Sequence, residues 1–365
     1  VIEYADVIVD LQYGDTGKGK ITNQCLATDN GYNLVVRYNG GSNAGHTIYR
    51  DEVKIVTHQV PIGVLYGVIS VIGPGCVVNI PKLKEELEYL RGLGVWAPET
   101  FLLIDKRAHI VQDRHLTEDS TDTVIGTTRQ GIGPAYRDKY GRTGMTFEMW
   151  YDAQTGDRDP FVDNAMTDIY ALLHGSNRVQ ETAWRILCEG AQGFYLDPMW
   201  GDYPFVTSSH CTVAAAIQNG IPHNKIRHVF GVAKGYETYV GNKPNFIPNN
   251  QLIHKPVFET IQTLGKEYGA TTGRLRQVRF LNLDELIPAI NINGVTRLVL
   301  NKMDILDNVG HADFNPYRFQ YNNNLITTGN AWEFRTTIQN IIQENCPTLV
   351  GNVFDSPIKF SYGAE

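Results

Sequence analysis

The sequence predicts an α/β fold built on a parallel sheet. Three observations carry this. Apolar runs rich in Val, Ile and Leu recur along the chain, nearly continuous as in strands covered on both faces. Helix-patterned segments lie between them, the alternation that marks α/β architecture. The first run, "ADVIVDL" (5–11), leads straight into a glycine- and lysine-rich turn, the arrangement of a strand–loop–helix phosphate site.

In chain order the strand candidates are 5–11, "NLVVRY" (33–38), "RILCEG" (185–190), "RHVFGVAKG" (227–235) and "TRLVLNKMD" (296–304). "PKLKEELEYLRGLG" (81–94) reads as a helix. Pro81 suits its first turn, Leu83, Leu87 and Leu90 share a face, and Gly92 or Gly94 ends it. No repeat, low-complexity tract or linker interrupts the 365 residues, which are read as one large domain, 1–365, with long loops.

Composition narrows the classes. Hydrophobic residues make up 42% and charged residues 19%, which is globular rather than disordered. A net charge of -7 argues against a nucleic-acid partner, which calls for excess Lys and Arg. Five cysteines without a C-x-x-C pair disfavour a disulfide framework or structural zinc. No apolar run approaches a membrane span and no leader pattern opens the chain, so a cytoplasmic protein without a membrane partner is expected.

Six stretches carry chemistry. In "QYGDTGKGK" (12–20), Gly14-x4-Gly19-Lys20 has phosphate-loop spacing, although Ile21 stands where Ser or Thr is usual. Its glycines let backbone N–H groups turn inward, and lysine neutralises phosphoryl oxygens. Asp15 is the anomaly. An acid in a phosphate cradle must hold a metal ion or take a proton from something bound beside the phosphate. "NGGSNAGHT" (39–47) surrounds His46 with glycines that permit close approach to a ligand. "GTTRQGIGPAYRDKYGRTG" (126–144) is a hydroxyl- and glycine-rich loop followed by basic residues. "EGAQGFYLDPMWGDYPFVTSS" (189–209) offers Gln192, Thr207, Ser208 and Ser209 as neutral donors. "ATTGRLRQ" (270–277) sets Arg274 and Arg276 beside a glycine turn; two guanidinium groups suit a dicarboxylate, each gripping one carboxylate through parallel hydrogen bonds. "NKMD" (301–304) has the N-K-x-D form of a guanine-reading element. A GTP-binding switch protein would use the first and last stretches but leaves "TTGRLR" and "GIGPAY" without a role.

In order and wording these stretches resemble adenylosuccinate synthetase. That family has a tryptophan-containing version of the first motif, then "NGG-NAGHT", "GTT…GIGPAY", "EGAQG…YP-VTSS", "TTGR-R" and a strand ending in "K-D". The resemblance runs from Ala5 to Gly363. It implies a large α/β fold around a mixed but mainly parallel sheet, a homodimer, and Mg2+-dependent ligation of L-aspartate to a 6-oxopurine nucleotide. A purine 6-oxo group leaves poorly, so the nucleoside triphosphate first phosphorylates it and aspartate's amine then displaces the 6-phosphoryl group.

By resemblance Asp15 is the general base at purine N1 and a Mg2+ ligand, with the Gly45 carbonyl as second ligand; the metal offsets the acid's charge. His46 matches the general acid. Gly14, Thr16, Gly17, Lys18, Gly19 and Lys20 match the phosphate loop, and Lys302, Asp304, Ser361 and Gly363 the donor-nucleotide contacts. Asn43, Thr127, Thr128, Gln192 and Thr207 match the monophosphate's holders, Val240 the sugar contact, and Arg142 an arginine donated across the dimer. Thr271, Thr272, Gly273, Arg274 and Arg276 match the aspartate loop.

The chain also departs from that family. Thr16 stands where the family carries Glu, Gln130 where it carries Arg, with Arg129 displaced by one place, and "VGNKPNF" replaces "VGAGPFPTE". These features resemble a smaller branch, viral with archaeal relatives, that condenses aspartate with dGMP to N6-succino-2-amino-2'-deoxyadenylate, a 2-aminoadenine precursor. Its viral members can carry Ser where Asp15 is kept here. The expected acceptor is therefore dGMP, with Thr16 freeing volume and removing a charge near purine C2. ATP or dATP is the expected donor, because a site already admitting guanine gains from a donor of another base; Asp304 in "NKMD" argues for GTP. A viral origin would place the protein in the host cytoplasm. The alternative is an enzyme using IMP, aspartate and GTP.

Overall fold

A nine-stranded sheet organises the chain, in the spatial order Ile358–Phe360, Arg297–Asn301, Ile226–Lys234, Ile2–Asp10, Trp184–Glu189, Leu34–Arg37, Ile69–Ile72, Leu102–Asp105 and Met166–Thr167. This is a computed structural model that describes residues 1–28, 31–50, 52–121, 126–155, 160–175, 183–241, 243–269, 273–310, 314–350 and 358–360. Every neighbouring pair in the sheet is parallel. The expected mixture of directions is therefore absent from the large sheet. It appears instead in a separate four-stranded sheet of Tyr236–Val240, Arg276–Asn282, Arg318–Tyr321 and Asn324–Thr327.

The central strands read as unbroken apolar runs because both faces are covered. Val7 and Val9 belong to one core and Ile8 to the other. Ile186 and Cys188 alternate with Leu187 in the same way, as the two-residue period of a strand requires. The expected helix spans Ile80–Gly92, with Asn79 accepting from the Lys82 N–H and with Leu83, Leu87 and Leu90 buried. One boundary differs from expectation: the run 296–304 leaves the sheet at Asn301, and Met303 opens the helix Met303–Gly310. Lys302 makes that turn at φ 62.

In a parallel sheet the carboxyl ends of the strands line up, and ligands bind beyond them. Here Asp10, Arg37, Glu189, Lys234 and Asn301 end five neighbouring strands, and all five are buried. Among the described residues no helix is long and apolar enough to cross a membrane. All five cysteines are buried, and none is in a disulfide.

Candidate active site

The phosphate loop is folded around a buried acid. Asp10 ends its strand, and Oδ1 accepts from the Gln12 and Gly14 N–H groups at 2.9 and 3.2 Å. Oδ2 accepts from the Thr16 N–H at 3.4 Å, from the Thr16 hydroxyl, and from Lys18 Nζ at 3.0 Å. Gly17, at φ 100, caps the helix Lys18–Ala27, whose first turn holds Gly19 and Lys20. A Cβ on Gly19 would lie 3.1 Å from His46 Cβ, and one on Gly193 would lie 2.4 Å from the Gly14 nitrogen. The second and fourth motifs thus close on the first at glycines. Asn301 completes the packing, its Nδ2 donating to the Thr16 carbonyl at 2.8 Å.

Two loop residues turn inward in this arrangement. Thr16 is 1% exposed with its hydroxyl committed to Asp10, so it braces the loop. Lys18 is likewise buried, and it neutralises Asp10 and donates to the Gln192 carbonyl.

His46 opens the strand His46–Arg50 beside a buried ion pair. Glu189 Oε1 lies 2.6 Å from Arg37 Nη1 and 2.7 Å from His46 Nδ1, and Oε2 accepts from the Ile62 N–H at 2.9 Å. Burial alone would raise the Glu189 carboxyl, but His46 and Arg37 outweigh it and hold it low. An ionised carboxylate only accepts, so Nδ1 carries the imidazole proton and Nε2 is left to a ligand. Burial and the Arg37 charge push His46 down to about 4 against the opposing pull of Glu189.

Asp15, 28% exposed and at φ 55, points the other way. Its Oδ2 accepts from Arg276 Nη2 at 2.8 Å, while Arg276 Nη1 pairs with buried Glu267 at 2.5 Å. Lys234 Nζ sits 3.2 Å from the same Glu267 oxygen and donates to the Thr238 hydroxyl at 2.6 Å. Burial would raise Glu267, yet Lys234 and Arg276 hold it down to about 2. Arg276 pairs across the small sheet with Val240, so the expected sugar contact and aspartate grip are strand neighbours. Arg274 Nη2 donates to the Gly126 and Thr127 carbonyls at 2.8 and 3.0 Å, laying the loop of Thr127 and Thr128 against Gly273 and Arg274.

The other expected residues are distributed around these contacts. Asn43 Oδ1 accepts from the Gly41 N–H at 3.2 Å, and Gln192 Oε1 accepts from the Ser209 hydroxyl at 3.3 Å. The Thr207 N–H donates to the Leu196 carbonyl. Lys302 Nζ donates to the Gly265 carbonyl at 3.3 Å. Asp304 Oδ1 is buried with no hydrogen-bond partner among the described residues. Arg142 is exposed at the end of the helix Ile132–Gly141. Thr271, Thr272, Ser361 and Gly363 lie outside the described residues. Asp10, Arg37, Glu189, Lys234 and Glu267 went unassigned in the sequence; all but Glu267 stand inside quoted strand stretches, where their position at strand ends was the available signal.

Among the described residues no group of three or more His, Cys, Asp or Glu is placed to hold a metal ion. Mg2+ keeps waters and substrate phosphates as most of its ligands, so a site with few protein ligands is compatible with it.

The family model for adenylosuccinate synthetase matches residues 7–166 and 158–327. Adenylosuccinate synthetases of Helicobacter pylori (strain Shi470), Desulforapulum autotrophicum and Listeria monocytogenes serotype 4a are 37%, 35% and 36% identical to this chain. The matches cover 84%, 82% and 83% of it and 80%, 77% and 77% of those proteins. The fully ligated adenylosuccinate synthetase structure from Plasmodium falciparum is similar at TM-score 0.70 and 31% identity, covering 84% of this chain and 78% of that one. The succinoaminodeoxyadenylate synthetase of cyanophage S-2L shares the fold at TM-score 0.67 and 23% identity, covering 92% and 98%. With its motifs closed around the carboxyl ends of one parallel sheet and relatives at this level of identity, the chain belongs to the adenylosuccinate synthetase family and is a C–N bond-forming ligase.

Proposed function

We propose that the chain condenses L-aspartate with dGMP, using ATP or dATP, to give N6-succino-2-amino-2'-deoxyadenylate. The observation that carries the ligation chemistry is the meeting of Asp15 with Arg276, 261 positions apart, at 2.8 Å. It sets the group read as base against a guanidinium read as aspartate grip. Asp15 takes the purine N1 proton, which makes O6 nucleophilic toward the γ-phosphate. Neutral His46 is oriented by Glu189 so that Nε2 faces the reacting groups, and a phosphoryl group arriving there raises its affinity for a proton. Mg2+, held by Asp15 and the Gly45 carbonyl, would offset phosphate charge. Arg142 reaches the acceptor phosphate of the other subunit in a homodimer; its side chain makes no hydrogen bond or ion pair among the described residues, which supports that use.

Thr16 supports dGMP. A short neutral side chain turned into the loop replaces the family's glutamate, so Asp15 has no second carboxylate beside it on the chain. The cyanophage enzyme that shares the fold is described as bound to dGMP and to dATP as an energy donor.

A second reading, IMP with GTP, is favoured by Asp304. Its buried, unpartnered oxygen suits the N1–H and 2-amino donors of a guanine base, because such groups are seldom left unsatisfied. One assay separates the readings. The protein is incubated with Mg2+ and aspartate, with dGMP, GMP or IMP crossed against ATP, dATP or GTP, and succino-product formation is followed. The highest kcat/KM is expected for dGMP with ATP or dATP. Outright preference for IMP with GTP would establish the second reading instead.

A further inference from the structure

We infer that Lys82 binds a substrate oxyanion, supplying from a different element the positive charge that the family carries as arginine at the place of Gln130. The inference rests on the ligase reading but not on the choice of purine. Lys82 is the third residue of the helix Ile80–Gly92, half-buried, and its ammonium donates to Gln130 Oε1. Gln130 Nε2 donates to the Thr128 carbonyl at 3.4 Å, which turns the amide oxygen toward Lys82. The loss of a cation at position 130 and the arrival of one from helix Ile80–Gly92 therefore meet at one contact.

That contact leaves Lys82 short of partners. An ammonium has three donors and a full charge, and one neutral amide oxygen answers only part of this. No carboxylate of the described residues pairs with it. Helix electrostatics give no other reason for its position. Gln130 directly precedes Gly131, which caps the helix Ile132–Gly141, and neither that helix nor Ile80–Gly92 has an acidic residue in its first turn. A cation where two helices begin is the sign the helix dipole disfavours, whereas an anion arriving there satisfies both the dipoles and the lysine.

The loop that carries Gln130 also names the anion's class. It holds Thr127 and Thr128, matched to the acceptor's monophosphate, and Arg274 of the aspartate loop donates to the Gly126 and Thr127 carbonyls. A carboxylate of aspartate and the phosphate of the acceptor share the required chemistry.

Steady-state kinetics distinguish them. Aspartate and the acceptor nucleotide are varied separately for Lys82→Met, Lys82→Arg and the double variant Lys82→Met/Gln130→Arg, using the acceptor and donor that the wild type turns over best. Lys82→Met should raise one KM roughly ten- to hundredfold, the scale of a lost charged hydrogen bond, with kcat falling far less. A rise for aspartate assigns the carboxylate, and a rise for the nucleotide assigns the phosphate. Lys82→Arg should keep most of the affinity, and Gln130→Arg should recover much of what Lys82→Met loses. Unchanged KM values, or a loss explained by a lowered Tm that Gln130→Arg does not restore, would make Lys82 structural and overturn the inference. Calorimetric binding of aspartate and nucleotide gives the same contrast without turnover, so failure here is separable from failure of the ligase reading.

Discussion

Asp15 is placed by its backbone as well as by its charge. At φ 55 it occupies the left-handed region that few side chains other than Asn and Asp enter, and this turns it away from the Asp10 network toward Arg276. Arg276 in turn is anchored by Glu267 on its other side, so its grip on Asp15 is set from the buried interior. Asp15→Asn keeps the shape but removes the proposed base and anionic ligand. Turnover should fall on the order of 10²–10⁴-fold, measured at saturating Mg2+ and nucleotide; near-normal turnover would take the proton-transfer role away from Asp15. Asp15, His46 and Arg276 were legible in the sequence because each is chemically out of place: an acid in a phosphate loop, a histidine among glycines, an arginine on a glycine turn. Glu189 and Arg37 were not. They end apolar strands, and Glu189 meets His46 from 143 positions away and Arg37 from 152, partners that no local pattern announces. Glu267 had no local signal at all. The inward turn of Thr16 was not legible either, because spacing along a loop does not say which way a side chain turns, and its hydroxyl meets the Asp10 carboxylate.

The strand Ile2–Asp10 and the loop after it act as one element because Asp10 belongs to both. Its carboxylate stands in for the turn's missing backbone partners and pairs with a lysine buried with it. Breaking a buried charge pair by removing one side typically costs about 3–5 kcal/mol. Asp10→Asn should therefore lower stability by about that amount in urea unfolding, since Lys18 would be left charged and buried. Adding Lys18→Met should recover part of the loss, because coupled partners are not additive; a single-variant loss below about 1 kcal/mol would show that the loop holds without the pair. At this scale the five central strands and the helix Ile80–Gly92 were legible from continuous and 3.6-period apolar patterns. The small sheet was not. Its strands Tyr236–Val240 and Arg276–Asn282 bury charges, and Glu237 stands opposite Arg279 in register with a 2.5 Å ion pair. Charges satisfied across strands interrupt the alternation by which a half-buried strand is recognised. The run through "NKMD" was over-extended for a related reason: the apolar pattern continues past Asn301 into the first turn of the next helix.

At the scale of the whole molecule, the carboxyl ends of five neighbouring strands collect the charged residues Asp10, Arg37, Glu189 and Lys234, whereas Arg142 comes from a helix end. The residue follows the helix Ile132–Gly141 in a left-handed conformation at φ 62 and is exposed. A guanidinium offering planar pairs of donors is suited to phosphate. Left in solvent it would spend that capacity on water, and a two-fold dimer offers the alternative in which each subunit lends its arginine to the other. Mixing is the decisive test, because the two subunits of such a dimer can be disabled in different ways. Arg142→Leu spoils the neighbour's site and Asp15→Asn spoils its own. In a hybrid dimer the Arg142→Leu subunit keeps Asp15 and receives an intact arginine from its partner, so one of the two sites is whole. Random reassortment makes half the dimers hybrid, and activity should return to about a quarter of wild type under that symmetry. Native mass spectrometry on differently tagged variants verifies that hybrids have formed. Inactive mixtures with verified hybrids would mean that Arg142 works within its own chain, and an Arg142→Leu protein active by itself would remove the arginine from the site altogether.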